Sequence, residues 1–264
     1  MGVLRPDVHE GRVAVISGGG TGIGRATALD LAQGGARVVI CGRRPEPLEN
    51  VRDEIVKAGG ECLALTADIR DDVTTVVDAA INEYGRVDIL VNNAGGQFAA
   101  PAEQISPGGW RAVHRLAVDA AWALTREVAT RSMIPNRQGV IVFIAFSPRR
   151  GIPGMVHASA ARAALENLAA GLALEWSRHR IRSVCVAPGS IRSEGLDGYD
   201  PELVAGWERS IPLGRLGRAE EVASVIAFLA SAGGAYITGT TIVVDGGADA
   251  WGMGEPPPPV EGGA

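Results

Sequence analysis

Short apolar runs rich in β-branched residues alternate with longer stretches of helical spacing along nearly the whole chain. The runs are Val13 to Ser17, Arg37 to Cys41, Cys62 to Thr66, Val87 to Val91, Val140 to Ala145, Ile181 to Ala187 and Thr241 to Val244. They are continuous in polarity rather than alternating, as strands covered on both faces are. Between them, Ile23 to Gly34, Leu48 to Ala58, Val73 to Tyr84, Trp110 to Met133, Val156 to Arg178 and Ala219 to Leu229 carry helical periodicity; Trp110, Val113, Leu116 and Ala120, for example, share one face. The expected fold class is α/β: a seven-stranded, doubly wound parallel sheet with helices on both faces. With no internal repeat or linker, residues 1–251 read as one domain, and Ser190 to Leu213 as an insertion of no definite structure. The tail, 252–264, contains four consecutive prolines at 256 to 259 and is expected to be extended or disordered.

Composition removes several function classes. A formal net charge of -5 over 264 residues offers no field for a nucleic-acid backbone or an anionic membrane. The longest apolar run, Val140 to Phe146, falls far short of the roughly 20 residues a bilayer span needs, and Met1 to Arg12 has no apolar signal core, so a cytoplasmic protein is expected. Cys41, Cys62 and Cys185 show no metal or disulfide spacing, and no metal site is expected. Lys57 is the only lysine among 25 Lys+Arg residues, which excludes any mechanism that needs a lysine elsewhere.

The first strand runs into Ser17-Gly18-Gly19-Gly20-Thr21-Gly22-Ile23-Gly24 and then a helix. A glycine-rich turn there lets backbone N–H groups approach a pyrophosphate at the positive end of a helix dipole, the arrangement of Rossmann-type dinucleotide sites. The G-x-G-x-x-G spacing is matched in no register; Gly18, Gly22 and Gly24 form G-x-x-x-G-x-G instead. At the end of the second strand, where an NAD site places Asp or Glu against the ribose hydroxyl, the chain reads Cys41-Gly42-Arg43-Arg44. Two guanidinium groups and no carboxylate favour NADP(H), because arginine grips a 2'-phosphate through paired N–H donors. The same two arginines would also serve as the solvated start of the next helix.

These motifs, with Asp68 and Ile69 after the third strand, Asn92-Asn93-Ala94-Gly95 after the fourth, Pro188-Gly189 after the sixth and Val244-Asp245-Gly246-Gly247 after the seventh, resemble the short-chain dehydrogenases/reductases over Gly11 to Gly247. The resemblance implies that Ser17, Gly18, Gly20, Thr21, Gly22, Ile23 and Gly24 surround the pyrophosphate and that Asp68 and Ile69 lie at the adenine. It places Asn93, Ala94 and Gly95 beside the cofactor, and Pro188, Gly189 and Ile191 near the nicotinamide. It further implies assembly into a homotetramer or homodimer through the Trp110 and Val156 helices.

The chain departs from that family's Asn-Ser-Tyr-Lys active site. Aligned on Leu172 to Glu175, Ala158 stands for the tyrosine and Arg162 for the lysine; the serine falls at Ala145 or Phe146, and the asparagine at Ala117. Asn92 to Phe98, Pro101 to Ser106 with Trp110, and His157 to Ala163 resemble the branch that contains peroxisomal trans-2-enoyl-CoA and 2,4-dienoyl-CoA reductases. That branch implies reduction of a conjugated C=C of an acyl-CoA thioester, with charge developing on the thioester oxygen. On this reading Gln97 donates to that oxygen, or is a loop amide bonded to backbone. Arg162 clamps the cofactor ribose and supplies fixed charge, or forms an ordinary helix-surface ion pair. Ser147 relays a proton from water, and His157 is a further donor, unless its ring points away. Arg149 and Arg150 read as surface charge, and the insertion with Glu194 and Tyr199 as the substrate lid. Two other readings stand beside this one: a cofactor-binding homologue without redox catalysis, and a carbonyl reductase that borrows Tyr199 as its acid.

Overall fold

The computed structural model describes residues 5–147, 151–192 and 201–251. Strands β1 (Val13–Ser17), β2 (Arg37–Gly42), β3 (Cys62–Thr66), β4 (Ile89–Asn92), β5 (Gly139–Ile144) and β6 (Ile181–Pro188) join β9 (Thr241–Val244) in one parallel sheet. Its order is β3-β2-β1-β4-β5-β6-β9, so the winding reverses between β1 and β4. β7 (Ile191–Arg192) and β8 (Gly217–Arg218) form a separate two-stranded parallel ribbon.

Side-chain alternation along the strands feeds two cores. Val15, Val39, Leu90, Ile141 and Phe143 face one layer, and Ala14, Ile16, Val38, Ile89 and Val142 the other. Helices α1 (Gly22–Gln33), α2 (Pro45–Lys57) and, later in the chain, α9 (Ala219–Ala230) cover the second face through Leu31, Ile55 and Ile226. Helix α3 (Thr74–Tyr84) covers the first, together with a long rod and α7 (Val156–Trp176). The rod consists of α4 (Pro107–His114), α5 (Ala120–Val128) and α6 (Ile134–Asn136), joined by π-helical turns at Arg115–Asp119 and Ala129–Met133. Helices α8 (Pro201–Ser210) and α10 (Ala248–Trp251) and three single 3-10 turns, Ala102–Gln104, Ser177–His179 and Ala232–Gly234, lie outside these layers.

Seven parallel strands stand where the apolar runs predict them, with shifts at the ends. β4 starts at Ile89 rather than Val87, because the Val87 N–H donates to Ser132 Oγ (2.7 Å) and its carbonyl accepts from the same hydroxyl (3.1 Å), which takes Val87 out of the sheet ladder. The fourth helical stretch starts earlier than Trp110: Ser106 accepts the Gly109 N–H at 3.0 Å and Pro107 occupies the first helical position. The insertion Ser190 to Leu213 contains β7 and α8. Glu194, Tyr199, Arg149, Arg150 and the tail 252–264 lie outside the described residues. No helix among the described residues is long and apolar enough to cross a membrane.

The N-terminal segment carries a titratable group that the fold keeps neutral. His9 is fully buried on Gly34, neither ring nitrogen has a hydrogen-bond partner among the described residues, and burial with the nearby Arg12 charge pulls its pKa down to about 4. In the unfolded chain the same ring takes a proton near pH 6.5, so between those values the unfolded state binds more protons. Stability from this site is therefore complete above about pH 6.5 and falls as pH drops toward 4, by about 3 kcal/mol in all. Urea midpoints at pH 7 and pH 4.5 should show a smaller acid loss in His9→Phe than in the parent chain; equal losses would refute the assignment.

Candidate active site

The winding reversal opens a cleft of about 490 Å³ at the carboxyl ends of β1 and β4, where ligands sit in such sheets. Its floor is the glycine turn. Gly18 takes φ +67° and Gly22 φ +52°, left-handed conformations that favour glycine. Gly24 is buried beneath the turn: a Cβ there would lie 2.1 Å from the Gly18 carbonyl oxygen and 2.5 Å from Asn93 Nδ2. Asn93 Nδ2 donates to the carbonyls of Ser17 (3.0 Å) and Gly18 (3.1 Å), tying the turn to the end of β4. Ser17 Oγ completes the brace by accepting the N–H groups of Asn93 and Ala94, both at 3.1 Å.

Gly18, Gly20, Thr21, Asn93, Ala94 and Gly95 line the cleft, with Asp68 and Ile69 on its far wall. Ser17, Gly22, Ile23 and Gly24 lie outside that lining; the Ser17 hydroxyl and Gly24 shape the turn from behind. Cys41, Gly42, Pro47, Leu48, Ala67 and Leu116 also line it, and no single-residue signal in the sequence marks them. Leu116 reaches the cleft from the first π-helical turn of the rod, a local irregularity common at functional sites.

Arg43 and Arg44 stand at the rim, both exposed, with no ion-pair partner among the described residues. Asp68 does have one: its carboxylate accepts from the Arg70 backbone N–H (3.0 Å) and the Arg70 guanidinium (2.5 to 3.1 Å). Those bonds, aided by the Arg70 and Arg43 charges, hold its pKa down to about 2. The cleft wall therefore keeps a net cationic edge beside one neutralised carboxylate.

Beyond Gly95, α7 decides the chemistry. Arg162 is buried, its guanidinium donates to the Ile144 carbonyl, and it presses so closely on Gly95 that a Cβ there would lie 2.1 Å from Nη2. Burial pushes its pKa down to about 10, and no carboxylate among the described residues pairs with it, so it remains a cation at neutral pH. Ala158 and Ala117, which stand in the tyrosine and asparagine positions, are buried with Val113 and Ala161, and Phe146 and Met155 pack against them. An apolar cluster thus occupies the place where an acid would act.

The remaining candidates separate. Gln97 is exposed on the irregular loop after β4, two residues past Gly95 and outside the cleft lining, and its amide has no hydrogen-bond partner among the described residues. Ser147 donates its hydroxyl hydrogen to the Asp245 carboxylate, whose oxygens also accept the N–H groups of Gly247 (2.9 Å) and Asp249 (2.7 Å). Asp245 belongs to the Val244 to Gly247 motif after the seventh strand. His157 is fully buried, neither ring nitrogen has a hydrogen-bond partner among the described residues, and its ring lies 4.3 Å from that of Phe98. Burial, with a smaller contribution from His114, lowers its pKa, so it is a neutral packing group. Pro188 ends β6 beside Val244, Gly189 packs on Asp245, and Ile191 is in the β7 ribbon, so none of the three lines the cleft.

A family model described as enoyl-(acyl carrier protein) reductase matches residues 18–249. The chain is 36% identical over 245 residues to a Bacillus subtilis protein named "Probable 2,4-dienoyl-CoA reductase [(2E)-enoyl-CoA-producing]", covering 90% of this chain and 96% of that one. Among solved structures, a citronellol catabolism dehydrogenase of Pseudomonas aeruginosa PAO1 superposes with a TM-score of 0.85 at 38% identity, covering 94% of this chain and 99% of that one. A Beutenbergia cavernae structure with NADP bound at low occupancy gives a TM-score of 0.87 at 35% identity, covering 93% of this chain and all of the other.

Proposed function

The chain belongs to the short-chain dehydrogenase/reductase family of oxidoreductases, and we propose that it uses NADPH to reduce a conjugated C=C of an enoyl- or dienoyl-CoA thioester. The observation that carries this reading is the apolar cluster at Ala158 and Ala117 beside a buried, carboxylate-free Arg162. Among the described residues such a site has no acid to protonate a carbonyl oxygen, but it holds a fixed positive charge to stabilise a developing anion.

The cleft suits a dinucleotide phosphate: glycine positions admit close backbone approach, α1 presents its N-terminus, and Arg43 and Arg44 offer exposed guanidinium groups that form no ion pair among the described residues. When bound, NADPH supplies a hydride to carbon. Gln97 donates its free amide to the thioester oxygen, and Arg162 stabilises the charge that grows there. Ser147 has its hydroxyl hydrogen on Asp245 and therefore faces any partner as an acceptor; with the neutral, enclosed His157 outside the proton path, none of these described side chains supplies the proton, and water is the donor in this reading. Assembly into a homotetramer or homodimer accompanies this reading, supported by the exposed apolar side chains Trp122 on α5 and Leu174 on α7.

Oxidation of NADPH by the purified chain with trans-2-enoyl-CoA and 2,4-dienoyl-CoA esters tests it. Turnover supports the reductase; tight NADPH binding without turnover on any ester points instead to a cofactor-binding homologue without redox catalysis. The cofactor preference has its own test. Arg43→Ala with Arg44→Ala should raise the NADPH Kd about 10- to 100-fold, the loss of one or two charge-assisted bonds, and change NADH binding little. Equal losses for both nucleotides would remove the 2'-phosphate from the account.

A further inference from the structure

A second pocket, of about 500 Å³, opens at the amino ends of β5 and β6. The strands are parallel, so it lies at the opposite edge of the sheet from the cleft described above, which opens at their carboxyl ends. Arg12, Arg180 and Arg182 line it, and no carboxylate among the described residues does. Asp88, whose charge acts on Arg12, is already engaged: one oxygen is ion-paired with Arg86 and the other accepts the Val13 N–H at 3.0 Å.

Two of the arginines are held at the C-terminus of α9. The Arg12 guanidinium donates to the Ala230 carbonyl, and Arg182 donates to the carbonyls of Leu229 (2.6 Å) and Ile237 (3.2 Å). Capping of a helix end accounts for part of this gathering. It does not balance the charge: a helix C-terminus offers about half a negative charge, so the ends of α9 and α7 together offset roughly one of the three cations and leave about two. Burial, and after it the Arg12 charge, pull the Arg182 pKa down to about 10, so Arg182 stays charged at neutral pH and is opposed by its neighbour. Donors are left over as well. Arg12 Nε is buried with no hydrogen-bond partner among the described residues, and the exposed Arg180 guanidinium forms no hydrogen bond or ion pair among them.

We propose that this pocket binds a phosphate dianion, free or as the terminal group of a small phosphomonoester, among Arg12, Arg180 and Arg182. A dianion matches the charge that the helix ends leave uncompensated, and guanidinium forks offer paired donors to its oxygens. The pocket has the volume of a small-molecule site, and Val8, Val140 and Ala235 give it an apolar wall against which a short carbon skeleton can lie. The site shares no residue with the cleft and does not depend on the reductase reading.

Equilibrium dialysis of radiolabelled inorganic phosphate against the full chain, at pH 7.5 in low-salt buffer, tests the site without catalysis. The expected result is saturable binding that Arg180→Gln weakens about 10- to 100-fold, the loss of one charge-assisted bond, and that Arg43→Ala with Arg44→Ala leaves unchanged. The Arg180 side chain makes no bond in the fold, so thermal unfolding of Arg180→Gln should match the parent and separate lost binding from lost structure. Glycerol 3-phosphate as competitor identifies the occupant: tighter binding than inorganic phosphate assigns an ester, equal or weaker binding assigns free phosphate, and both support the site. Failure to bind phosphate at millimolar concentration, or binding that Arg180→Gln does not change, would overturn the proposal. Loss of binding in Arg43→Ala with Arg44→Ala would put the anion in the cleft at the other end of the strands and overturn it equally.

Discussion

Arg162→Met is expected to lower NADPH-dependent turnover at least 100-fold and to leave the fold about as stable as before. The catalytic loss follows from Arg162 being the one cation buried behind Gly95 among the described residues: removal of one preorganised charge or donor at developing negative charge commonly costs 100- to 1,000-fold. The stability result follows from two opposed terms. The guanidinium is desolvated without a carboxylate, which pulls its pKa down to about 10, so its removal relieves a buried charge. Against that, the Ile144 carbonyl loses its donor, at about 1–3 kcal/mol. A methionine of similar length fills the space, and the terms largely cancel. Thermal unfolding with parallel single-turnover rates checks both halves. A variant that keeps its rate but melts several degrees lower would recast Arg162 as a strut for the β5 end.

Gly24→Ala should be the most damaging single methyl addition at the cofactor end. Its Cβ would meet the Gly18 carbonyl oxygen at 2.1 Å and Asn93 Nδ2 at 2.5 Å, and the first of these is backbone that no rotamer change can move. Overpacking of this kind costs about 3 kcal/mol or more. Relief would require α1 to lift from the turn, or Asn93 to release the Ser17 and Gly18 carbonyls, and either movement spoils the phosphate cradle. The expected result is a fall in urea midpoint together with at least a 100-fold weaker NADPH Kd. Wild-type nucleotide affinity in a folded Gly24→Ala chain would show that the turn tolerates displacement, and the bracing role of Asn93 would have to be abandoned.

Much of this molecule is legible along the chain because it depends on near neighbours. A parallel strand buried on both faces is apolar at nearly every position, so Val13 to Ser17 or Val140 to Ile144 announce themselves locally. The glycine turn and the arginine pair follow the same logic, since both act through residues a few positions apart. Legibility fails where a group's partner is distant in sequence. Val87 has the composition of a strand residue, but Ser132, 45 residues away, takes its backbone bonds. Ser147 reads as a free hydroxyl until Asp245, 98 residues on, accepts its hydrogen.

The sequence by itself determined the sheet, the cofactor-type turn, the missing acid at Ala158 and Ala117 and the cationic end of β2, because periodicity, chirality and residue chemistry are local properties. Only the tertiary structure decided that Arg162 is buried against Gly95, that His157 is sealed under Phe98 and neutral, and that Asp68 is already spent on Arg70. Burial and charge pairing are sums over neighbours brought together by folding, and those sums set protonation, exposure and hence which of the candidate groups can act.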